Sequence, residues 1–242
     1  MVQPNQFVFG GESSLDYGLY ITEPGVFGAP ERSITEQNVP GRNGAILIDD
    51  GYYKPRPVKY KVWLDSPSAD DRAAWCRRAA AWLLSQPGAY RELYDSYDPD
   101  YCKIAYYSGG LDMDAADAPI LQQTLEFSCK PYQYLRSSLR LREVGNGETL
   151  VNPYRFAAAP YIKITGSGDI TLTVGNNSWL LSGVDGYIEL DSGRMSTYKG
   201  TQLLNDHKSG AGYPALAVGH TGIRWSGGTV QKVEVIPRWC TL

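Results

Sequence analysis

Tyr161-Ile162-Lys163-Ile164-Thr165-Gly166-Ser167-Gly168-Asp169-Ile170-Thr171-Leu172-Thr173-Val174 alternates apolar and polar residues on both sides of a glycine-rich centre. In an extended chain every second side chain shares a face, so this pattern suits a strand with one buried side. The spacing predicts strands over 161–165 and 170–174 joined by a Gly166–Asp169 turn. Gly175-Asn176-Asn177-Ser178 then turns the chain into Trp179-Leu180-Leu181, and further strands are expected over 187–190, 222–225 and 230–236. Short strands at spacings of about ten residues, with no helix among them, describe a β-sandwich.

Upstream the character changes. Gly145-Asn146-Gly147 and Asn152-Pro153 punctuate residues 143–152, which places a boundary between an N-terminal domain, 1–143, and a C-terminal domain, 144–242. In the first, Val58, Tyr60, Val62 and Leu64 alternate with Lys59, Lys61 and Trp63, while Leu121, Gln123, Leu125, Phe127 and Cys129 alternate with Gln122, Thr124, Glu126 and Ser128. Both read as half-buried strands. One helix stands out, with Ser66 or Ser68 as N-cap, Pro67 in its first turn and Asp70 and Asp71 at its positive end. Trp75, Ala79, Trp82 and Leu83 stack on one face, and Pro87-Gly88 stops it. With a single helix there are too few crossovers for a parallel sheet. The chain is therefore mainly β, an α+β domain of antiparallel sheets followed by a sandwich.

Composition narrows the function classes. Over 242 residues, 23 Lys and Arg stand against 26 Asp and Glu for a net charge of -3, which builds no broad positive field for nucleic acid or anionic membrane. No run approaches the roughly 18 apolar residues of a membrane helix. Met1–Gly11 lacks a basic start and an apolar stretch before a cleavage site, so a soluble chain made in a cytoplasm is expected. Cys76, Cys102, Cys129 and Cys240 form no CxxC pair and read as small buried apolar side chains.

Chemistry is sparse. His207 and His220 fall among Gly, Ser and Lys in expected loops, and Asp206-His207 with Ser209 lacks a nucleophile elbow. Asp95, Asp98 and Asp100, and separately Asp112, Asp114 and Asp117, offer oxygens at near-alternate positions but lack the Gly and Glu of an EF-hand loop, so solvated turns are expected. The Gly166 and Gly145 stretches have no following helix to receive a dinucleotide. Asn176-Asn177-Ser178 matches a glycosylation pattern that has no meaning without secretion. Arg136, Arg140 and Arg142 make a small basic patch near the boundary. Trp179, Trp225 and Trp239 are candidate sugar-stacking platforms, against the alternative that Trp225 and Trp239 pack inside. No catalytic set, metal site or cofactor motif is expected.

Phe7-Val8-Phe9-Gly10-Gly11-Glu12-Ser13-Ser14, then Asp16-Tyr17-Gly18-Leu19, Pro30-Glu31-Arg32, Pro40-Gly41-Arg42-Asn43-Gly44 and Asp49-Asp50-Gly51-Tyr52, run in an order that resembles the distal tail protein (Dit) family of long-tailed siphophages. The resemblance continues through the helix and Asp95 to Asp100-Tyr101. It ends on Tyr213-Pro214-Ala215-Leu216, Gly219, Ile223 and Ile236-Pro237-Arg238-Trp239, with departures at Val218-Gly219-His220-Thr221 and Cys240. It implies a structural virion protein of a phage or prophage, made in the host cytoplasm and placed at the distal end of the tail. There a homo-hexameric hub would join the tail tube protein to tail-tip fibre or lysin proteins, and to a receptor-binding protein. The N-terminal domain would form the ring and a galectin-like sandwich would project outward. Within that reading Arg42, on its Gly-flanked loop, and Asp49 and Asp50, on the hairpin after it, are the candidate inter-subunit contact. The alternative is a carbohydrate-binding module for cell-wall polysaccharide that uses Trp179 and Trp225.

Overall fold

A computed structural model of the chain describes residues 5–23, 25, 28–68, 70–85, 88–111 and 121–242. Two compact units divide between Gln133 and Tyr134, with Leu242 counted in the first. The division precedes the expected 143/144 boundary because residues 135–144 are bonded into the second unit: Leu135 N donates to Trp239 O and Val144 N to Val233 O, each at 3.0 Å.

The first unit contains β1 (Phe7–Phe9), β2 (Glu12–Ser13), β3 (Leu19–Ile21), β4 (Arg32–Asn38), β5 (Ala45–Tyr53), β6 (Arg56–Leu64), α1 (Arg72–Leu84), β7 (Arg91–Asp95), β8 (Tyr101–Tyr107) and most of β9 (Leu121–Leu135). Its main sheet runs in the order β2-β1-β7-β8-β9-β6-β3, while among the described residues β4 and β5 pair only with each other. The expected alternation holds: Tyr60, Val62 and Leu64 on β6 and Leu121, Leu125, Phe127 and Cys129 on β9 are buried. In α1, Ala79, Trp82 and Leu83 are buried. Trp82 stacks on Tyr17 at 4.3 Å and on Phe7 at 5.7 Å. The helix starts later than expected. Asp71 occupies the N-cap with helical dihedrals and no side-chain cap bond, because its carboxylate is held by the Ser68 hydroxyl at 2.7 Å. The expected stop at Pro87 lies outside the described residues.

The second unit contains β10 (Arg142–Glu143), β11 (Thr149–Asn152), β12 (Tyr161–Val174), β13 (Asn177–Asp191), β14 (Ser196–Lys199), β15 (Gln202–Leu203), β16 (Lys208–Ser209), β17 (Gly219–Ser226) and β18 (Thr229–Ile236). Here the decisive stretch differs from its reading, since residues 161–174 form one strand paired along its length with β13. On its other edge β12 pairs with β18 up to Ser167 and with β17 from Thr171. The glycines make the bend where it changes partner. Gly168, at φ +86°, precedes a bulge against β13. A Cβ on Gly166 would sit 2.2 Å from the Thr229 carbonyl oxygen, so no side chain fits there. What looked like a turn is a corner that lets one strand serve both layers of a curled antiparallel sandwich. Ile162, Ile164, Ile170, Leu172 and Val174 point into its core with Trp179, Leu181, Ile188, Leu190 and Ile223.

Candidate functional site

The β4–β5 pair is a hairpin arm. It is clasped at its base. Asp49 accepts two bonds from the Arg32 guanidinium, both at 2.8 Å, and a third from the Gly51 N–H at 2.9 Å. Asp50 accepts from the Ser33 hydroxyl at 2.7 Å and the Thr35 hydroxyl at 3.0 Å. The Arg32 guanidinium lies 4.6 Å over the Tyr53 ring, and Tyr53 meets Tyr132 edge-on at 6.0 Å. The bonded Arg32 and the Gly51 N–H hold the Asp49 carboxyl below its ordinary pKa.

Beyond the clasp, Ile34 and Ile46–Ile48 lie exposed, with Leu47 the most open at 64%. Successive strand residues face opposite sides, so both faces of the arm carry bare apolar side chains. The strands are joined through Val39–Gly44, where Gly41 and Gly44 take φ near +80°. Arg42 uses its backbone N–H to bond Val39 O at 3.2 Å, and its side chain makes no ion pair among the described residues. Sequence reasoning grouped Arg42, Asp49 and Asp50; the structure separates them. Arg42 is free at the tip and both carboxylates are engaged within the arm. Arg32, which completes the clasp, was missed because its partner lies 17 positions away.

The other candidates find ordinary structural places. Trp179 is 2% exposed and its indole N–H donates to the Ala211 and Gly212 carbonyls, so it presents no ring to a sugar. Trp225 is half-buried, packs against the core and bonds through its backbone to the Asn146 side chain. His207 faces the Ser182 carbonyl at 2.8 Å; His220 lies on β17 opposite Val151 rather than in a loop. Arg142 pairs with Glu148. All four cysteines are thiols, and burial pushes those of Cys129 and Cys240 to about 11.

Asp95 is not a solvated turn residue. It is buried, and its carboxylate accepts from the Tyr60 hydroxyl at 2.7 Å and from the Tyr97 and Asp98 N–H groups at 3.0 and 3.1 Å. Burial and the Asp95 charge raise the Tyr60 pKa well above its ordinary value. The cluster Asp112–Asp117 lies outside the described residues. Among those described, no group of three His, Cys, Asp or Glu is placed to hold a metal ion.

Residues 14–129 match the family described as the phage tail protein RIFT-related domain. No curated protein sequence matches the chain. Among solved structures, the fold is similar to the SPP1 Dit (gp 19.1) protein, described as a paradigm of the hub adsorption apparatus in phages infecting Gram-positive hosts. That likeness has a TM-score of 0.73 at 11% identity and covers 99% of this chain and 100% of that one. A chain of the phage P2 baseplate in its activated conformation matches with a TM-score of 0.52 at 9% identity, over 96% and 97% of the two chains. The first unit thus carries a region similar to the phage tail protein RIFT-related domain, and the chain has the fold of the SPP1 Dit protein from end to end.

Proposed function

We propose that this protein is the distal tail hub: six copies close into a ring at the end of the tail tube, N-terminal units innermost, and the ring carries the baseplate or tip proteins. The role is structural rather than enzymatic. The observation behind the reading is the arm. A two-stranded hairpin is marginal alone in water, and this one leaves apolar side chains on both faces and bare strand edges. Such edges are an aggregation liability unless an assembly covers them. Arm-to-body contacts between identical chains are heterologous, and they either close into a ring or run on into a filament. Arg42, unpaired at the arm tip, is the charge available to fix the register on a neighbour's carboxylate.

Size-exclusion chromatography with light scattering at micromolar concentration tests the ring. The expected mass is six times the 26.7 kDa chain. Arg42→Glu should lower the ring population without changing the melting of the monomer. A wild-type protein that stays monomeric and also fails to join tube and tip proteins in a reconstituted tail would sink the hub reading.

A further inference from the structure

A second feature of the first unit is independent of the arm and of the hub reading. A cavity of about 520 Å³ opens beside β6 and is lined by Arg56, Pro57, Val58, Tyr60, Asp95 and Lys103 together with Gly28 and Gln133. That volume falls in the range of small-molecule pockets. Its two cations are incompletely paired. The Lys103 side chain is only 10% exposed, and among the described residues its one ionic partner is Asp95 Oδ2 at 3.8 Å, beyond hydrogen-bonding distance. Asp95 is already satisfied by Tyr60 and two backbone N–H groups. The Arg56 guanidinium donates to the Gly28 carbonyl and to the Gln133 side-chain oxygen at 3.1 Å, both neutral, and its Nε is buried with no acceptor. Lys103 and Arg56 also act on Asp98 through space, though it forms no ion pair with either among the described residues. Two buried or half-buried cations thus border one cavity, and the Asp95 carboxylate beside them already accepts three hydrogen bonds from other groups. Sequestered cations are costly unless paired.

We propose that this cavity is a binding site for a carboxylate borne on a short apolar stem, with Lys103 and Arg56 taking the charge and Val58 and Pro57 lining the stem. An ammonium with no hydrogen bond among the described residues and a forked guanidinium are the groups that recognise such an anion. The same chemistry can come from a free small acid or from an acidic side chain presented by a partner protein.

Isothermal titration and NMR line positions of the full chain, with isovalerate as the free acid and a capped valyl-glutamate peptide as the presented one, test the site. Isovaleramide, the neutral isostere, is the control. Saturable binding of at least one acid with none of the amide is expected, weakened about tenfold or more by Arg56→Gln as a charge-assisted pair is lost. Lys103→Met should do the same; Arg56→Gln leaves the Tyr60–Asp95 cluster intact if that variant fails to fold. Isovalerate binding assigns the site to a small acid, and peptide binding alone assigns it to a partner protein. No saturable binding of either, or equal binding of the amide, or binding unchanged in the folded variants, overturns the proposal.

Discussion

Two hairpins in this molecule follow the same construction rule and end in opposite environments. β12 and β13 pair over nearly their whole length, and the apolar half of their alternation is buried. β4 and β5 pair just as regularly from Thr35 to Asn38, yet every residue from Ile46 to Tyr52 is exposed. The difference lies in what else the chain supplies. β12 has β17 and β18 on its far edge and a core beneath it, whereas the arm has only its clasp. Strand pairing here follows from β-branched residues and turn glycines; burial is set by whether a second layer exists. An arm with strand chemistry and no second layer is a surface waiting for one from outside the chain.

The sharpest way to break that contrast is a matched pair of truncations. Ile164→Ala, in the buried hairpin, should cost the second unit about 2–5 kcal/mol, since the methyl groups removed leave a cavity. Leu47→Ala, in the bare one, should shift monomer stability by no more than about 0.5 kcal/mol while depleting the assembled form. Thermal melts and light scattering on both proteins check this. A large loss of monomer stability from Leu47→Ala would mean that the arm is packed within the monomer.

Polar anchoring gives a second contrast of nearly the same size. Asp191, at the end of β13, has a side chain only 4% exposed and is gripped by the Arg238 guanidinium at 2.6 and 3.0 Å. Burial raises the pKa of Asp191, but the Arg238 bond and the Arg194 and Gly193 N–H groups outweigh it and hold the group below its ordinary value. Arg238→Met should therefore cost about 3–5 kcal/mol by stranding a buried carboxylate. Because the folded pKa is depressed, the wild-type contribution is fully present above the ordinary carboxylate range and is lost as pH falls through the folded value. Acid melts should steepen in the wild type and flatten in Arg238→Met; parallel curves would show that the pair is not the acid-sensitive element.

Much of this was legible beforehand. Period-2 runs at 58–64 and 121–129 and the Trp82 helix face announced strands and a helix because each buries one side against a layer of its own unit. Gly166 and Gly168 misled because glycine marks a close backbone approach as readily as a turn, and only the position of the Thr229 carbonyl decides between them. Asp95 misled because a run of acids reads as solvated, while Tyr60, whose hydroxyl holds it inside, comes from another strand. The Arg32–Asp49 clasp and the Lys103–Arg56 cavity are likewise products of tertiary pairing. Nothing in a single sequence fixes which charges meet across a sheet.

Protease accessibility separates two glycine-rich segments, one in each unit. The Gly145–Glu148 turn is pinned: Asn146 exchanges two bonds with the Trp225 backbone, each at 3.0 Å, and Gly147 N donates to Ile223 O at 2.8 Å. The arm tip is open around Gly41 and Gly44. Trypsin should therefore cut first after Arg42, and Arg142 just before the pinned turn should persist, because cleavage needs several residues of locally released backbone. Mass spectrometry of early fragments reads the order. Assembly should protect Arg42, and first cleavage near residue 142 would show that the segment before the Gly145 turn is the looser of the two.

The smallest expected effect is at the clasp itself, where the comparison is finest. Asp49 and Asp191 are both carboxylates held by an arginine and by backbone N–H groups, and both pKa values are lowered. The Asp49 side chain, however, is 58% exposed against 4% for Asp191, so water and salt screen most of what Arg32 contributes. The sign is the same: a depressed folded value means that the clasp is intact above the ordinary carboxylate range and opens as pH falls through the folded value. Asp49→Asn should leave the melting of both units unchanged. It should speed trypsin cleavage after Arg42 at neutral pH, and added salt should do the same to the wild type. If cleavage rates are identical and salt has no effect, the arm is held by strand pairing and the Tyr53–Tyr132 contact alone, and the charges at its base only decorate it.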